Sequence, residues 1–221
     1  MRPNDFKVEP SASQTGICPF CEGNEGETEP EIYAERIPGS QPDGPGWLTR
    51  VVRNRFAALT QDEIVFPAEV TPFNELPASG VHEVIIESPI HDTRLSEFSR
   101  PKIQSILQLF QKRIRDLSKD PGISFVQIVR NCGPMAGASL IHPHTQLIGL
   151  PFVPDWIERE YRAMLKYQDR YQRSFMQEQI EQARIEPSRI IDENQSYVAF
   201  TVFAPRFPFE SWILPKQAEH D

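Results

Sequence analysis

The sequence predicts an α+β fold in which an antiparallel sheet packs with helices and is followed by the start of a second, duplicated unit. Residues 50–59 and 81–88 (VHEVIIES) are short and apolar, which predicts two sheet strands. Residues 101–117 carry apolar side chains at three- and four-residue spacing behind Ser99 as N-cap, which predicts an amphipathic helix on the sheet. The apolar residues of that helix are Ile103, Ile106, Leu107, Phe110, Ile114 and Leu117.

A strand, a small-residue loop and a returning strand are predicted in the middle of the chain. Residues 122–130 (GISFVQIVR) have strand composition, residues 131–139 (NCGPMAGAS) are small and turn-forming, and residues 140–150 resume an extended pattern. The first 50 residues are instead rich in proline, glycine, glutamate and serine. They are therefore predicted to be irregular chain held by a local constraint.

The last third of the chain begins with one long polar-rich helical pattern at 155–185. The sequence after this helix contains an echo of an earlier stretch. Residues 194–200 and 210–215 resemble residues 54–59 and 83–89, in that order. We infer that a duplicated unit begins here.

Charge and hydropathy exclude several classes of protein. The formal net charge is -8, from 23 Lys and Arg against 31 Asp and Glu, so the summed field repels polyanions and disfavours a nucleic-acid partner. No stretch approaches roughly 18 uninterrupted apolar residues, and residues 1–10 lack the apolar core of a signal peptide. We therefore expect a soluble, cytoplasmic protein with no membrane partner, which can still bind small phosphorylated ligands.

Alternating polar side chains point to phosphoryl chemistry. His142, His144 and Gln146 would share one face of an extended strand, at positions roughly 7 Å apart. A neutral imidazole attacks phosphorus without prior deprotonation, provided that its second ring nitrogen donates to a fixed acceptor. His144 is therefore the candidate nucleophile for a nucleoside monophosphate, and Gln146 is the candidate donor to a phosphoryl oxygen. The other interpretation of a histidine, a surface or satisfied core residue, is preferred for His82 and His220.

The loop that leads into this strand offers further donors. The backbone N–H groups around Gly137, Ala138 and Ser139 can form an anion-binding nest as charge develops on a phosphoryl group. The Ser139 hydroxyl adds one more donor. The alternative interpretation of the glycines is an ordinary tight turn.

Cysteine usage indicates a metal site. Cys18 and Cys21 form a C-x-x-C pair with zinc-finger spacing, and because the chain has no second such pair, the remaining ligands must be histidine or carboxylate. With His91 and His142 they would form a closed, structural Cys₂His₂ zinc site that pins the N-terminus against the catalytic strand. The alternative is a pair of free thiols or a redox pair. Cys132 is expected to be a small buried residue.

The assembled features resemble the galactose-1-phosphate uridylyltransferase family, a branch of the histidine-triad superfamily. The resembling segments follow a specific order along nearly the whole chain, namely 18–25 (CPFCEGNE), 50–56 (RVVRNRF), 80–84 (GVHEV), 88–91 (SPIH), 137–146 (GASLIHPHTQ) and 208–213 (PFESWI). The resemblance implies a histidine-triad-like nucleotidyltransferase domain with a zinc knuckle at 1–152, a connecting helix at 153–186 and the first strands of an incomplete second domain at 187–221.

The resemblance also implies a ping-pong mechanism. His144 would attack the α-phosphorus of UDP-glucose, glucose 1-phosphate would leave, and galactose 1-phosphate would take the uridylyl group from the histidine. By position, Asn54, Arg55 and Phe56 would lie at the nucleoside, and the groups at the phosphates would be Asn131, Ser139 and Gln146. The same zinc ligands are implied, with one structural Zn²⁺. Family members often form dimers, so the resemblance allows a homodimer.

Two other functions stay open at this level. An adenylyl-transferring sugar-nucleotide phosphorylase or a dinucleotide hydrolase would use the same His144 chemistry and differ in the base that it recognises. A zinc-stabilised module that binds nucleotides without turnover is expected if the chain lacks a necessary part of its second domain.

Overall fold

The computed structural model describes residues 17–60 and 78–217 and divides the chain into two compact units, Met1–Val153 and Pro154–Asp221. In its described part, the first unit contains a five-stranded sheet and one long helix, and the second contains two helices and a three-stranded sheet. This mixed α+β architecture with an antiparallel sheet confirms the predicted fold class. No helix among the described residues is both long and apolar enough to cross a membrane.

The first unit is built on five strands, β1 (Glu31–Arg36), β2 (Trp47–Arg53), β3 (Val81–Ile86), β4 (Phe125–Val129) and β5 (His144–Leu150). They pair antiparallel throughout, in the order β1-β2-β3-β5-β4. The loop at 131–139 therefore joins two neighbouring strands, as predicted. Strand β3 lies between β2 and β5, with Ile86 opposite His144.

Helix α1 (Arg100–Leu117) forms where the apolar spacing predicts it. The Ser99 hydroxyl caps the helix by accepting a hydrogen bond from the Lys102 backbone N–H at 3.4 Å. Pro101 lies in the first turn, where its missing N–H costs no helical hydrogen bond. Ser99 and Pro101 thus both act at the helix N-terminus, as the sequence indicates.

The buried face of α1 is rotated from the predicted one. Leu109 and Leu117 form the main apolar core with sheet residues Val51, Ile85 and Leu147. Leu107 and Ile114, which were predicted to face the sheet, are exposed, whereas Arg113 is buried. A prediction from apolar spacing alone cannot place a charged residue such as Arg113 on the buried face.

The N-terminal region is more regular than predicted, because residues 31–36 form β1 on the edge of the sheet. The prediction of irregular chain was wrong here, since this strand is held by its hydrogen bonds to β2 and not by an apolar pattern. The chain before it is anchored by Glu25, whose carboxylate accepts from Trp47 Nε1 at 2.7 Å and from the Gly23 backbone N–H at 3.0 Å. Trp47 is 1% exposed, and its apolar cluster contains Val52, Val84 and Ile86.

Two strand boundaries differ from the sequence prediction in ways that matter for the site. Strand β2 ends at Arg53, so the segment from Asn54 to Thr60 leaves the sheet. Strand β5 begins only at His144, so the prediction that His142 shares a strand face with His144 was wrong. Pro143 separates the two histidines, and a proline has no N–H to donate to a strand ladder.

The second unit starts with α2 (Asp155–Tyr171) and α3 (Phe175–Ile185), followed by β6 (Ile190–Glu193), β7 (Tyr197–Thr201) and β8 (Ser211–Pro215). The single helix that the sequence predicts at 155–185 is interrupted, because Gln172 adopts a left-handed conformation with φ 54°. The strands pair antiparallel in the order β6-β7-β8, and Phe200 of β7 packs into a core with Ile180, Ala183 and Val198.

The second sheet has the same strand order as β1-β2-β3, which fits a duplicated unit. The proposed residue match is imprecise, however. The segment after Asn194 forms β7, whereas the segment after Asn54 leaves the sheet.

A buried ion pair joins α1 to the centre of the first sheet. Arg113 Nε and Nη2 donate to the two carboxylate oxygens of Glu83 at 3.0 and 2.7 Å. Their side chains are only 9% and 3% exposed. This bidentate pair explains why α1 turns Arg113 toward the sheet, since a lone buried charge would be costly.

Removing one partner of this pair should destabilise the first unit strongly. We expect Glu83→Gln to lower the free energy of unfolding by about 3 kcal/mol, because Arg113 stays buried with only the partly exposed Asp116 as counter-charge. The double variant Glu83→Leu/Arg113→Met should recover most of the loss. Urea unfolding measures both, with Glu158→Gln as control, because it breaks the exposed pair with Arg162 and should cost only about 0–1 kcal/mol. If the double variant lost as much stability as Glu83→Leu and Arg113→Met together, each measured alone, the result would contradict this account.

Candidate active site and metal centre

Four predicted metal ligands converge in the first unit. The ligand atoms of Cys18, Cys21, His91 and His142 all lie within 4.8 Å of one another. Cys21 Sγ is 3.2 Å from His91 Nδ1 and 3.7 Å from His142 Nδ1, and Cys18 Sγ is 3.8 Å from His142 Nδ1. Tetrahedral zinc with ordinary bond lengths places sulfur and nitrogen about 3.5 Å apart. The four residues therefore fit a metal ion of this size and coordination.

The His142 ring is oriented for coordination. Its Nε2–H donates to the Ser88 carbonyl oxygen at 2.7 Å, so Nδ1 carries the lone pair that faces the cysteines. The residue is 1% exposed, and this burial lowers the pKa of His142 to about 4, which keeps the ring neutral. A neutral imidazole is the form that binds a metal ion.

The two thiols are crowded together. Burial, with the neighbouring Cys18 thiol adding to it, raises the pKa of Cys21 to about 11. A cation between the sulfurs lowers the pKa of both thiols, because it stabilises their thiolate forms.

The third cysteine, Cys132, is exposed, which corrects the expectation that it is buried.

His144 is held in the tautomer that a nucleophile requires. Its Nδ1 lies 2.7 Å from the backbone carbonyl oxygen of His142, and because a carbonyl only accepts, Nδ1 must carry the proton. In the neutral ring the lone pair is then on Nε2. His144 is 8% exposed, and the Phe20 ring packs edge-on against it with centroids 5.3 Å apart.

A cavity of about 680 Å³ opens beside this ring. Six of the predicted catalytic and substrate-binding residues line it, namely Asn54, Arg55, Phe56, Ser139, His144 and Gln146. The other three predicted residues, Asn131, Gly137 and Ala138, are not among its lining residues. Its size and its mixture of apolar and polar walls suit a nucleotide-sized ligand.

The loop at 131–139 uses part of its backbone donors internally. Gly137 adopts φ 82°, where glycine is favoured, and its N–H donates to the Pro134 carbonyl at 2.9 Å. The Ala138 N–H donates to the Gly133 carbonyl at 3.2 Å. These bonds support the tight-turn interpretation for the glycine, and they leave Ser139 as the loop residue that faces the cavity.

Two residues of the site were not identified as functional from the sequence. Phe20, between the two cysteines, contacts both His142 and His144. His82 was interpreted as either a surface residue or a satisfied core residue. The structure shows the second, since it is 9% exposed and both of its ring nitrogens contact polar groups. The sequence did carry one indication of its role, because His82 is a polar residue on the same strand face as the apolar Val84 and Ile86. His220 lies outside the described residues.

A buried carboxylate fixes the start of β5, the strand that carries His144. Glu87 is fully buried and accepts from the Thr145 hydroxyl at 2.5 Å. Arg130 Nε, beyond the end of β4, donates to both of its oxygens at 3.0 and 3.1 Å. The residue that follows His144 is thereby tied to the neighbouring strands on both sides.

The chain is similar to several known proteins. Residues 47–154 match the family model for galactose-1-phosphate uridyl transferase, N-terminal domain. The chain is 32% identical to an ADP-glucose phosphorylase of Arabidopsis thaliana, over 97% of this chain and 60% of that protein. It is 31% identical to a galactose-1-phosphate uridylyltransferase of Thermotoga maritima, over 95% of this chain and 60% of that protein.

A solved structure of an ADP-glucose phosphorylase from Arabidopsis thaliana with bound ADP-glucose superposes with a TM-score of 0.74 at 30% identity. The match covers 94% of this chain and 62% of the other. The chain thus spans about 60% of the length of the curated relatives named here. The family model, the two relatives and the superposed structure agree, and the chain belongs to the galactose-1-phosphate uridylyltransferase family.

Proposed function

We propose that this protein is a nucleotidyltransferase that exchanges a uridylyl group between UDP-glucose and galactose 1-phosphate through a nucleotidylated His144. The observation that carries the proposal is the 2.7 Å hydrogen bond from His144 Nδ1 to the His142 carbonyl oxygen. It leaves the Nε2 lone pair as the nucleophile of a ring that lines the cavity.

In the first half-reaction, His144 Nε2 forms a bond to the α-phosphorus of the nucleotide sugar. The bond from that phosphorus to the bridging oxygen breaks, and the sugar 1-phosphate leaves with the electron pair. The ring gains positive charge as the N–P bond forms, and the His142 carbonyl stabilises this charge through the Nδ1 proton. In the second half-reaction, a phosphate oxygen of the other sugar phosphate attacks phosphorus and releases the neutral imidazole.

The remaining roles follow from what lines the cavity. Gln146 and Ser139 can donate to the phosphoryl oxygens as charge develops on them. Asn54, Arg55 and Phe56 would hold the nucleoside, and the 88% exposed Phe56 ring is available for stacking on a base. Asn131, Gly137 and Ala138 would contribute at the phosphates only after a local rearrangement of their loop.

A second candidate is an adenylyl-transferring phosphorylase, in which inorganic phosphate replaces the sugar phosphate as acceptor. It is favoured by the 32% identity to the Arabidopsis ADP-glucose phosphorylase. The chemistry at His144 is the same in both cases, so only the base and the acceptor distinguish them.

We propose zinc as the metal of the Cys₂His₂ cluster. Two thiolates and two imidazoles in a closed tetrahedral set are typical ligands for structural zinc. When bound, the ion would supply rigidity rather than reactivity. It would hold the N-terminal knuckle and His142 together, and His142 in turn provides the carbonyl that orients His144.

Trapping the covalent intermediate tests the proposed reaction. Protein incubated with α-³²P-labelled UDP-glucose and quenched in base should retain label, because a phosphoramidate is stable in base and labile in acid. His144→Gly should reduce the label to background. A parallel incubation with labelled ADP-glucose decides between uridylyl and adenylyl transfer. Binding of either nucleotide without any acid-labile label would refute covalent catalysis and support a binding module without turnover.

Metal analysis tests the cluster. Purified protein should contain about one zinc per chain, and Cys18→Ser should bring this ratio close to zero, because a three-ligand remainder binds far more weakly. The matched control is Cys132→Ser, which alters an exposed thiol outside the cluster and should leave the zinc content unchanged. Inductively coupled plasma mass spectrometry gives the ratio. Full zinc occupancy in Cys18→Ser would show that the ligands are assigned incorrectly.

A further inference from the structure

His82 lies at the centre of the first sheet and contacts both the segment at 54–58 and the strand β5. It lies on β3, is 9% exposed, and lines the same cavity as His144. Its Nδ1 accepts from the Ala58 backbone N–H at 3.1 Å. Its Nε2 lies 2.8 Å from Gln146 Oε1. One ring therefore connects the segment at 54–58 to the catalytic strand.

The backbone decides which nitrogen of His82 carries the proton. The Ala58 N–H can only donate, so Nδ1 must offer its lone pair and the proton of the neutral ring is on Nε2. Nε2–H then requires an acceptor, which is the side-chain oxygen of Gln146. Asn54 Nδ2 also lies 3.0 Å from Nε2, but both groups are donors in this tautomer. Asn54 is held instead by its own oxygen, which accepts from the Phe56 N–H at 2.9 Å.

The orientation of the Gln146 amide follows from this tautomer. Because its oxygen is engaged by His82, its NH₂ group points elsewhere, and it has no hydrogen-bond partner among the described residues. Gln146 lines the cavity beside His144. A reversed amide would present an oxygen to the phosphoryl group, where two electron-rich oxygens repel each other.

We propose that His82 is a positioning residue that sets the Gln146 amide with its NH₂ toward the phosphoryl group and couples this donor to the nucleoside segment at 54–58. The inference rests on the proposed nucleotidyl transfer at His144. His82 does not touch the reacting atoms. The Ala58 N–H fixes the tautomer of His82, and this tautomer in turn fixes the orientation of the Gln146 amide. Without this contact the Gln146 amide could adopt either of two orientations.

Two amide substitutions separate the contacts of His82. In His82→Gln the terminal NH₂ falls near the former Nε2, so it can still donate to Gln146. In His82→Asn the shorter amide falls near the former Nδ1, so it can accept from Ala58 but does not reach Gln146. We expect His82→Asn to weaken UMP or AMP binding and to slow labelling of His144, each by about tenfold, since a buried hydrogen bond to a phosphate donor is lost. His82→Gln keeps a donor for Gln146 but loses the Ala58 contact that fixes this donor, so its loss should be intermediate, about threefold.

The dependence on Gln146 distinguishes positioning from general packing. In a Gln146→Ala background, His82→Asn should have no further effect on nucleotide binding or labelling, because the side chain through which it acts is gone. Thermal unfolding of each variant shows whether the fold is kept. Equal losses in His82→Asn and His82→Gln, or losses that add in full to that of Gln146→Ala, would overturn the proposal.

The tautomer can be measured without any turnover. Nitrogen-15 NMR of the imidazole should show a protonated Nε2 and an unprotonated Nδ1 for His82. The opposite tautomer overturns the positioning role even if His144 is nucleotidylated. Conversely, the expected tautomer together with no label on His144 would reject the proposed reaction while leaving the local geometry intact.

Discussion

The hydrogen bond between His144 Nδ1 and the His142 carbonyl is the constraint on which the rest of the site depends. The His142 carbonyl is held in place because the ring of the same residue is fixed on both sides. Its Nε2 contacts the Ser88 carbonyl, and its Nδ1 faces the cysteine sulfurs. One short segment of backbone therefore serves two purposes. It closes the candidate metal cluster, and it determines which nitrogen of His144 carries the lone pair in the neutral ring.

Side-chain contacts within the sheet also hold the segment from His142 to Thr145. Glu87 ties Thr145 to Arg130, so the strand that carries His144 is held on the sides of both neighbours. His82 performs a similar task one strand away, between Ala58 and Gln146. Buried polar groups with complete partners are costly to rearrange, and they give the site a single geometry. Such groups occur on β3 and β5, and also on β2, where Thr49 and Arg50 are buried.

Several features could not be predicted because their cause lies far away in the chain. The edge strand β1 has no clear apolar alternation and is stabilised by pairing with β2. Arg113 occupies the buried stripe of α1 because Glu83, thirty residues earlier, accepts its two hydrogen bonds. The left-handed residue Gln172 divides one predicted helix into two without a glycine or proline to mark the break. In the first two cases local propensity competes with a tertiary contact, and the contact prevails.

The sequence by itself indicated the candidate chemistry of this protein. The cysteine spacing and the few histidines indicated the metal ligands, and the segment from His142 to Gln146 indicated the nucleophile with its phosphate donor, because each reaction type tolerates few residue types. Only the tertiary structure decided the direction of these groups. The position of a ring proton depends on which carbonyl or N–H lies beside each ring nitrogen. At His142 this partner is the carbonyl of Ser88, which is distant in the sequence. At His144 it is the carbonyl of His142, which the folded backbone around Pro143 brings to Nδ1.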